Sequence, residues 1–195
     1  MRIFIALDIP GEIRTALSKY MERARSLVPE ARWARVEGLH VTLKFIGEVS
    51  DARLVEIKAA LGSIKTAPFD VRFTGAGFFP NPKAARVFWA GVEGGDALPR
   101  LASAVDAALA RLGFAKEDKA YHPHLTLARA SNHPLRELQA LITDPSPLPD
   151  HAQNPRALGA PPQFGTMTAR EFFLYQSQPQ KGGSKYTKLE RFRLE

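Results

Sequence analysis

A chain of 195 residues with 45% hydrophobic content and no cysteine has the size of one ordinary globular domain or two small lobes. It is long enough to close a core without disulfides or structural metal, and the missing thiol excludes cysteine nucleophiles and Cys-based zinc sites. The formal net charge of +7, from 27 Lys and Arg against 20 Asp and Glu, suits a polyanionic partner such as RNA but also describes basic proteins that bind nothing anionic.

Arg2 to Asp8 (RIFIALD) is apolar enough for a buried strand, and Pro10 suits the first turn of a helix. The apolar run Ile3 to Leu7 ends at Asp8, far short of a signal-peptide core or the ~20 residues of a membrane span, so the expectation is a soluble cytoplasmic chain. Ile13, Leu17, Tyr20, Ala24 and Leu27 follow at helical spacing up to Pro29. Leu39 to Phe45 (LHVTLKF) alternates as a strand. Strict alternation puts Val41, Leu43 and Phe45 on the core face and His40, Thr42 and Lys44 on the other.

Ser50 is placed as the N-cap of a second helix carrying Leu54, Ile57, Leu61 and Ile64. Two strands follow, one with Phe69, Val71 and Phe73 on one face and the other over Arg86 to Val92 (RVFWAGV). Asp96 is placed as the cap of a third helix, Ala97 to Leu112, stopped by Gly113. Tyr121 to Arg129 (YHPHLTLAR) reads as a strand, followed by a short helix opening at Pro134. Asp144 to Phe164 holds six prolines and reads as a long loop. Thr168 to Gln176 and Tyr186 to Leu194 read as a closing hairpin joined by the turn Gly182-Gly183. No interdomain linker divides the chain, and its two halves have loosely similar order.

The chemistry lies in a repeat. His40-Val41-Thr42-Leu43 and His124-Leu125-Thr126-Leu127 stand 84 residues apart, one per half. On a strand the period of two puts each His beside its Thr. Imidazole is near half-protonated around neutral pH, so a pair can supply one general base and one general acid. Two histidines on opposite sides of a phosphorus suit in-line displacement, with Thr hydroxyls on the non-bridging oxygens and no metal. A single His-x-Thr is more often a half-buried histidine bonded to backbone, but the duplication reverses those odds. A metal site at His122 and His124 is the competing reading, weakened by Pro123 between them and by the absence of carboxylates nearby in sequence.

HVTLKFIGEV at His40 to Val49 and HPHLTLAR at His122 to Arg129 closely resemble the two signature motifs of the 2H phosphoesterase superfamily. More narrowly, the opening RIFIALDIP, Trp33, the GFFP and RVFWAGV segments and the closing FFLYQSQ with Tyr186 resemble the RNA 2′,3′-cyclic phosphodiesterases, formerly called 2′-5′ RNA ligases. The resemblance implies an α+β fold, a single bilobal domain over 1–195, with two pseudo-twofold-related lobes of antiparallel sheets and flanking helices around a central cleft. It implies hydrolysis of a ribose 2′,3′-cyclic phosphate at an RNA end to a 2′-phosphomonoester, with no cofactor and no metal. His40 would be the proton donor to the leaving 3′ oxygen and His124 the proton acceptor that activates water. Thr42, Thr126 and Arg129 would bind the phosphate. The implied partner is RNA with a 2′,3′-cyclic phosphate end, tRNA fragments and nucleoside cyclic phosphates being candidates, and the implied state is a monomer.

Arg129 lies five residues past His124, which in an ideal strand points it to the opposite face, so its role requires a bulge, a twist or a strand end near Ala128, and without one Arg129 is a solvated surface charge. Phe45 holds the same offset from His40 and is assigned to the core. Lys44 is expected to add positive potential to the cleft, and Lys181, Lys185, Tyr186 and Lys188 to guide an RNA backbone or else to form a solvated hairpin. Trp33 either packs on the core or lines the cleft, while His133 and His151 receive no function. The long Pro-rich stretch and Glu37-Gly38 ahead of the first motif depart from the family pattern and bear on substrate preference. The rivals to hydrolysis are reversible 2′-5′ RNA ligation and a non-catalytic RNA- or nucleotide-binding module, whose hallmark would be loss of a motif His or Thr.

Overall fold

Five successive apolar residues, Ile3 to Leu7, are all buried. A strand buried on both faces belongs in the interior of a sheet, and β1 (Arg2–Asp8) does lie between two antiparallel neighbours. The computed structural model describes residues 1–131, 133–139, 161–181 and 183–195. After β1 come α1 (Gly11–Leu27), the two-residue β2 (Arg32–Trp33), a 3₁₀ turn at Val36–Gly38 and β3 (His40–Glu48). Then follow α2 (Asp51–Gly62), β4 (Phe69–Phe79), β5 (Val87–Glu93), α3 (Ala97–Ala110) and β6 (His124–Arg129). β7 (Gln163–Ala169), β8 (Glu171–Gln180) and β9 (Gly183–Arg193) close the described chain.

The strands form two antiparallel sheets, ordered β3-β1-β8-β9 and β2-β6-β5-β4-β7. Apart from β2 the two orders correspond position for position. In the first, β1 leads through α1 into its neighbour β3; in the second, β5 leads through α3 into its neighbour β6. The pseudo-twofold lobes expected from sequence are therefore present in the topology.

Each of these helices reaches under the other lobe's sheet. Tyr20 of α1 packs against Phe88 of β5 and Phe164 of β7, with ring centroids 6.0 and 5.2 Å apart. Lys44 of β3 meets Asp106 of α3. One continuous hydrophobic core accordingly runs from Ile3 through both sheets to Leu194. A smaller cluster, Phe4, Ala6, Phe173 and Tyr175, sits on the opposite face of the first sheet.

Several boundaries differ from the sequence reading. Thr168 to Gln176 is not one strand: the chain crosses from the second sheet to the first at Arg170, between β7 and β8. Burial resumes at Phe172 after the buried Ala169, so the short charged pair Arg170-Glu171 between them does not read as a boundary between strands. Of the segment read as a loop over 144–164, residues up to 160 and His151 with them lie outside the described residues. Gln163 and Phe164 already belong to β7, because Phe164 is needed against Tyr20. β8 and β9 pair as the expected hairpin, from Glu171 with Arg193 to Gln180 with Gly183, and Gly182 lies outside the described residues. Pro123 has no N–H to give a ladder, and β6 starts after it.

After Pro134 the described residues form a 3₁₀ turn, Arg136–Gln139. α2 and α3 end at Gly62 and Ala110, before Ile64 and Leu112. Neither Ser50 nor Asp96 caps with its side chain; their carbonyls accept the N–H groups of Arg53 and Arg100, each at 3.1 Å. No helix among the described residues is long and apolar enough to cross a membrane.

Candidate active site

β3 and β6 share one irregularity. Against β1, Ile5 pairs with Lys44 and Ala6 with Thr42, leaving Leu43 as an extra residue. Against β5, Phe88 pairs with Ala128 and Trp89 with Thr126, leaving Leu127 extra. A β-bulge of this kind restarts the in-out alternation one residue late. Burial follows the same sequence in both strands: half-buried His, buried Val or Leu, half-buried Thr, two successive buried residues, then an exposed one.

The bulge settles Arg129 and corrects two expectations. Arg129 is returned to the side of His124 and Thr126, where its charge acts on His124. Phe45, expected in the core, is at the equivalent position and 63% exposed, with its ring 5.9 Å from Phe4. Lys44, expected in the cleft, turns inward instead and is only 7% exposed. Its ammonium bonds the Asp106 carboxylate and, at 2.8 Å, the Ala115 carbonyl.

The two histidines are held alike. His40 Nδ1 lies 2.7 Å from the Gly38 carbonyl and His124 Nδ1 2.7 Å from the His122 carbonyl. A carbonyl only accepts, so each Nδ1 carries a proton and each Nε2 is left for substrate. Their ring neighbours differ. His40 lies 4.5 Å from Phe4, with Tyr186 edge-on at 5.0 Å and Tyr175 at 6.1 Å. His124 has Phe79 edge-on at 5.0 Å. Across the cleft, Tyr121 Oη donates to the Thr42 carbonyl at 2.9 Å and ties the approach to β6 onto β3.

Burial pushes the His40 imidazolium down to a pKa of about 4, reinforced by Arg14 and by His124 and opposed by the Gly38 carbonyl and Asp8. Burial is also the main cause lowering His124, with Arg129 and His122 acting the same way and the His122 carbonyl opposing. Both therefore rest neutral at pH 7. For His40 the consequence for stability is definite. Below its unfolded value of about 6.5 the unfolded chain binds a proton that the folded one refuses, so this contribution is intact above 6.5 and is lost as pH falls toward 4. Its loss amounts to about 3 kcal/mol. The expected outcome in chemical denaturation is that His40→Asn flattens the pH dependence of stability between 6.5 and 4; an unchanged slope would contradict the burial of this imidazole.

A cavity of about 390 Å³ opens beside His40, walled by Asp8, Arg14, Glu37, Tyr175, Tyr186 and Lys188 among others. Asp8 accepts from Arg14 and from Lys188, each at 2.5 Å. Burial pushes its carboxyl up, but Lys188, Arg14 and the Ile9 N–H outweigh that and hold it below the ordinary value. Sequence reasoning picked out Tyr186 and Lys188 but missed Asp8, Arg14, Tyr175, Phe4 and Phe79. Only the pairing of Asp8 with His40 across β1 and β3, invisible in the sequence, brings that carboxylate to the site. Lys181 and Lys185 do not line the cavity. Trp33 packs on the core, bonding the Val28 carbonyl at 2.9 Å with its ring edge-on to Phe88. Among the described residues no group of three or more His, Asp or Glu is placed to hold a metal ion.

Trp89, the register partner of Thr126, packs its indole over Gly77, its partner on β4. A Cβ at Gly77 would sit 2.2 Å from its ring, so glycine is required there by close approach. Gly77→Ala is expected to displace the indole, cost about 1–3 kcal/mol and lower turnover by moving the Thr126 row. Thermal melting with kinetics on the same variant checks this; unchanged values for both would contradict it.

The family model described as "LigT like Phosphoesterase" matches residues 7–89 and 92–186, one motif in each segment. An RNA 2′,3′-cyclic phosphodiesterase of Archaeoglobus fulgidus is 34% identical over 192 residues, covering 98% of this chain and 99% of its own. The Escherichia coli protein of the same name is 31% identical over 196 residues, with 99% and 96% covered. Among solved structures, E. coli LigT complexed with 3′-AMP superposes with a TM-score of 0.75 at 30% identity, covering 99% of this chain and 97% of that one. A Thermus thermophilus protein gives 0.76 at 31% identity, covering 100% and 98%. With that model matching both halves of the chain and relatives of 31–34% identity covered almost end to end, the chain belongs to the LigT-like phosphoesterases of the 2H superfamily.

Proposed function

We propose that this chain hydrolyses 2′,3′-cyclic phosphate ends of RNA to 2′-phosphomonoesters by metal-independent acid-base catalysis. The observation that carries the reading is the duplicated imidazole and hydroxyl pair, each imidazole with Nδ1 committed to a backbone carbonyl and Nε2 free. The names of the A. fulgidus and E. coli relatives agree with it. His124 Nε2 takes a proton from water as the water oxygen attacks phosphorus. The P–O3′ bond breaks on the far side and O3′ takes a proton from His40 Nε2, leaving the phosphate on O2′. Thr42, Thr126 and Arg129 donate to the non-bridging oxygens as charge builds on them.

The depressed pKa of His124 keeps the acceptor neutral at pH 7, as a base must be. His40 needs a proton, and the bound phosphate supplies the means: an anion beside an imidazole favours its charged form and raises its pKa in the complex. Phe45, exposed next to Phe4 and matched across the pseudo-twofold by Arg129, gives the cleft an aromatic and a cationic wall suited to a base. On this proposal the chain is one bilobal unit over 1–195, working as a monomer in the cytoplasm with its RNA. The test is phosphorus NMR on a short RNA with a 2′,3′-cyclic end in excess EDTA. Conversion to the 2′-phosphate is expected, while a 3′-phosphate product, or activity lost to EDTA and restored by a divalent ion, would overturn the reading.

A further inference from the structure

We infer that Tyr121 is a positioning residue for the reaction: its hydroxyl holds the two motif strands at the separation from which both imidazoles reach one phosphorus. The inference rests on the proposed two-histidine reading of the site. Among the described residues no ladder joins the motif strands. β3 stands at the end of one sheet and β6 belongs to the other. The short β2 pairs with β6 only at Ala128 and Arg129, beyond His124 and Thr126.

Instead, the approach to each motif strand is bonded to the bulge of the other. Tyr121, on the approach to His124, donates at 2.9 Å to the carbonyl of Thr42, the residue before the extra Leu43 of β3. The N–H of Ala34, on the approach to His40, donates at 2.8 Å to the carbonyl of Leu127, the extra residue of β6. A bulge interrupts its ladder and an edge strand has a free flank, so both carbonyls are open to a partner from outside. Lys44, next after the β3 bulge, reaches Asp106 of α3 and the Ala115 carbonyl. Asp106, Ala115 and Tyr121 all lie on the stretch that delivers His124, so the β3 bulge is gripped on both sides by the segment that carries the other imidazole. Burial pushes the Tyr121 phenol up, and the hydroxyl therefore stays protonated and donates throughout the working pH range. An in-line displacement tolerates little error: a misplacement of about 1 Å costs about 10²-fold. A strand released at one tie and still packed moves by less, which sets the expected effect of losing this hydroxyl at about tenfold.

The experiment measures kcat and KM of Tyr121→Phe on a nucleoside 2′,3′-cyclic phosphate and on its analogue with sulfur as the leaving 3′ atom. On the oxygen substrate kcat is expected to fall about tenfold with KM little changed. On the sulfur substrate most of that deficit should vanish: a thiolate, from a thiol ionising at about 8.5, leaves without an acid, and the separation of acid from base no longer sets the rate. The comparison holds whichever imidazole is the acid. Tyr20→Phe is the control, since its hydroxyl is buried between α1 and the second sheet with no partner among the described residues. Its loss should leave kcat unchanged on both substrates. A wild-type kcat for Tyr121→Phe overturns the inference, as does an equal deficit on the two substrates or the same deficit in Tyr20→Phe. Failure of wild type to turn over either substrate overturns the cyclic-phosphate reading itself and the inference with it.

Discussion

Alanine at His124 is expected to lower kcat on cyclic phosphate ends by about 10²–10⁴-fold, the range for removing a positioned general base. His40→Ala falls in the same range, and the double variant falls well short of the product of the two. Groups that act on opposite ends of one displacement are not independent, and on the proposed reading the hydroxyls of Thr42 and Thr126 remain for the phosphate when the imidazoles are gone. The fold survives both changes: each ring is half-buried on a cleft face, outside the continuous core. Circular dichroism and single-turnover kinetics on the three variants check this. A single alanine variant with near wild-type kcat, or one that unfolds, would contradict it.

The largest stability effect is expected at Lys44. Its side chain is buried against Asp106, which also accepts the Glu117 N–H at 3.2 Å. Lys44→Met strips the ammonium from a carboxylate that stays behind, and breaking a buried pair from one side costs about 3–5 kcal/mol. Asp106 is 22% exposed and can recover some hydration, which sets the expectation near 3 kcal/mol. Lys44→Met with Asp106→Leu leaves no uncompensated charge and recovers most of the loss, short by about 1 kcal/mol for the forfeited Glu117 bond. Urea denaturation of both variants measures the difference. A single variant costing under about 1 kcal/mol, or a double variant no better than the single, would contradict the pairing. The pair joins β3, which carries His40, to α3, which leads into β6 and His124, so its loss should also loosen the cleft.

Lys44 also marks the limit of what the sequence reveals about this site. The period-two rule placed His40 with Thr42 and His124 with Thr126, because those residues precede the bulge. Beyond it the rule inverts every assignment, sending Lys44 to the core and Phe45 to the cleft. Val41-Thr42-Leu43-Lys44-Phe45 reads equally well as unbroken alternation, and only the pairing with β1 reveals the extra residue. The contradiction at Arg129 was the one visible trace of it. A residue to which the family resemblance assigns a phosphate role stood on the wrong face unless the strand broke its alternation near Ala128, and the bulge found there recurs in β3. Asp8, Arg14 and Tyr175 were not legible for a different reason: they reach His40 through sheet neighbours and the start of α1, across chain separations that no local pattern encodes. Helix and strand positions were largely legible because amphipathic spacing is local. The break at Arg170 was not, since strands of two different sheets abut there with only Arg170 and Glu171 between the buried Ala169 and Phe172.

The division of labour between the histidines is tested most directly by replacing the leaving 3′ oxygen of the cyclic phosphate with sulfur. A thiol ionises near 8.5, far below an alcohol, so the thiolate departs without a proton donor. His40→Ala should then regain most of its lost rate on the sulfur substrate relative to wild type, while His124→Ala, still lacking the base that activates water, should not. Rescue of His124→Ala with His40→Ala left inactive would contradict the assignment and reverse the two roles.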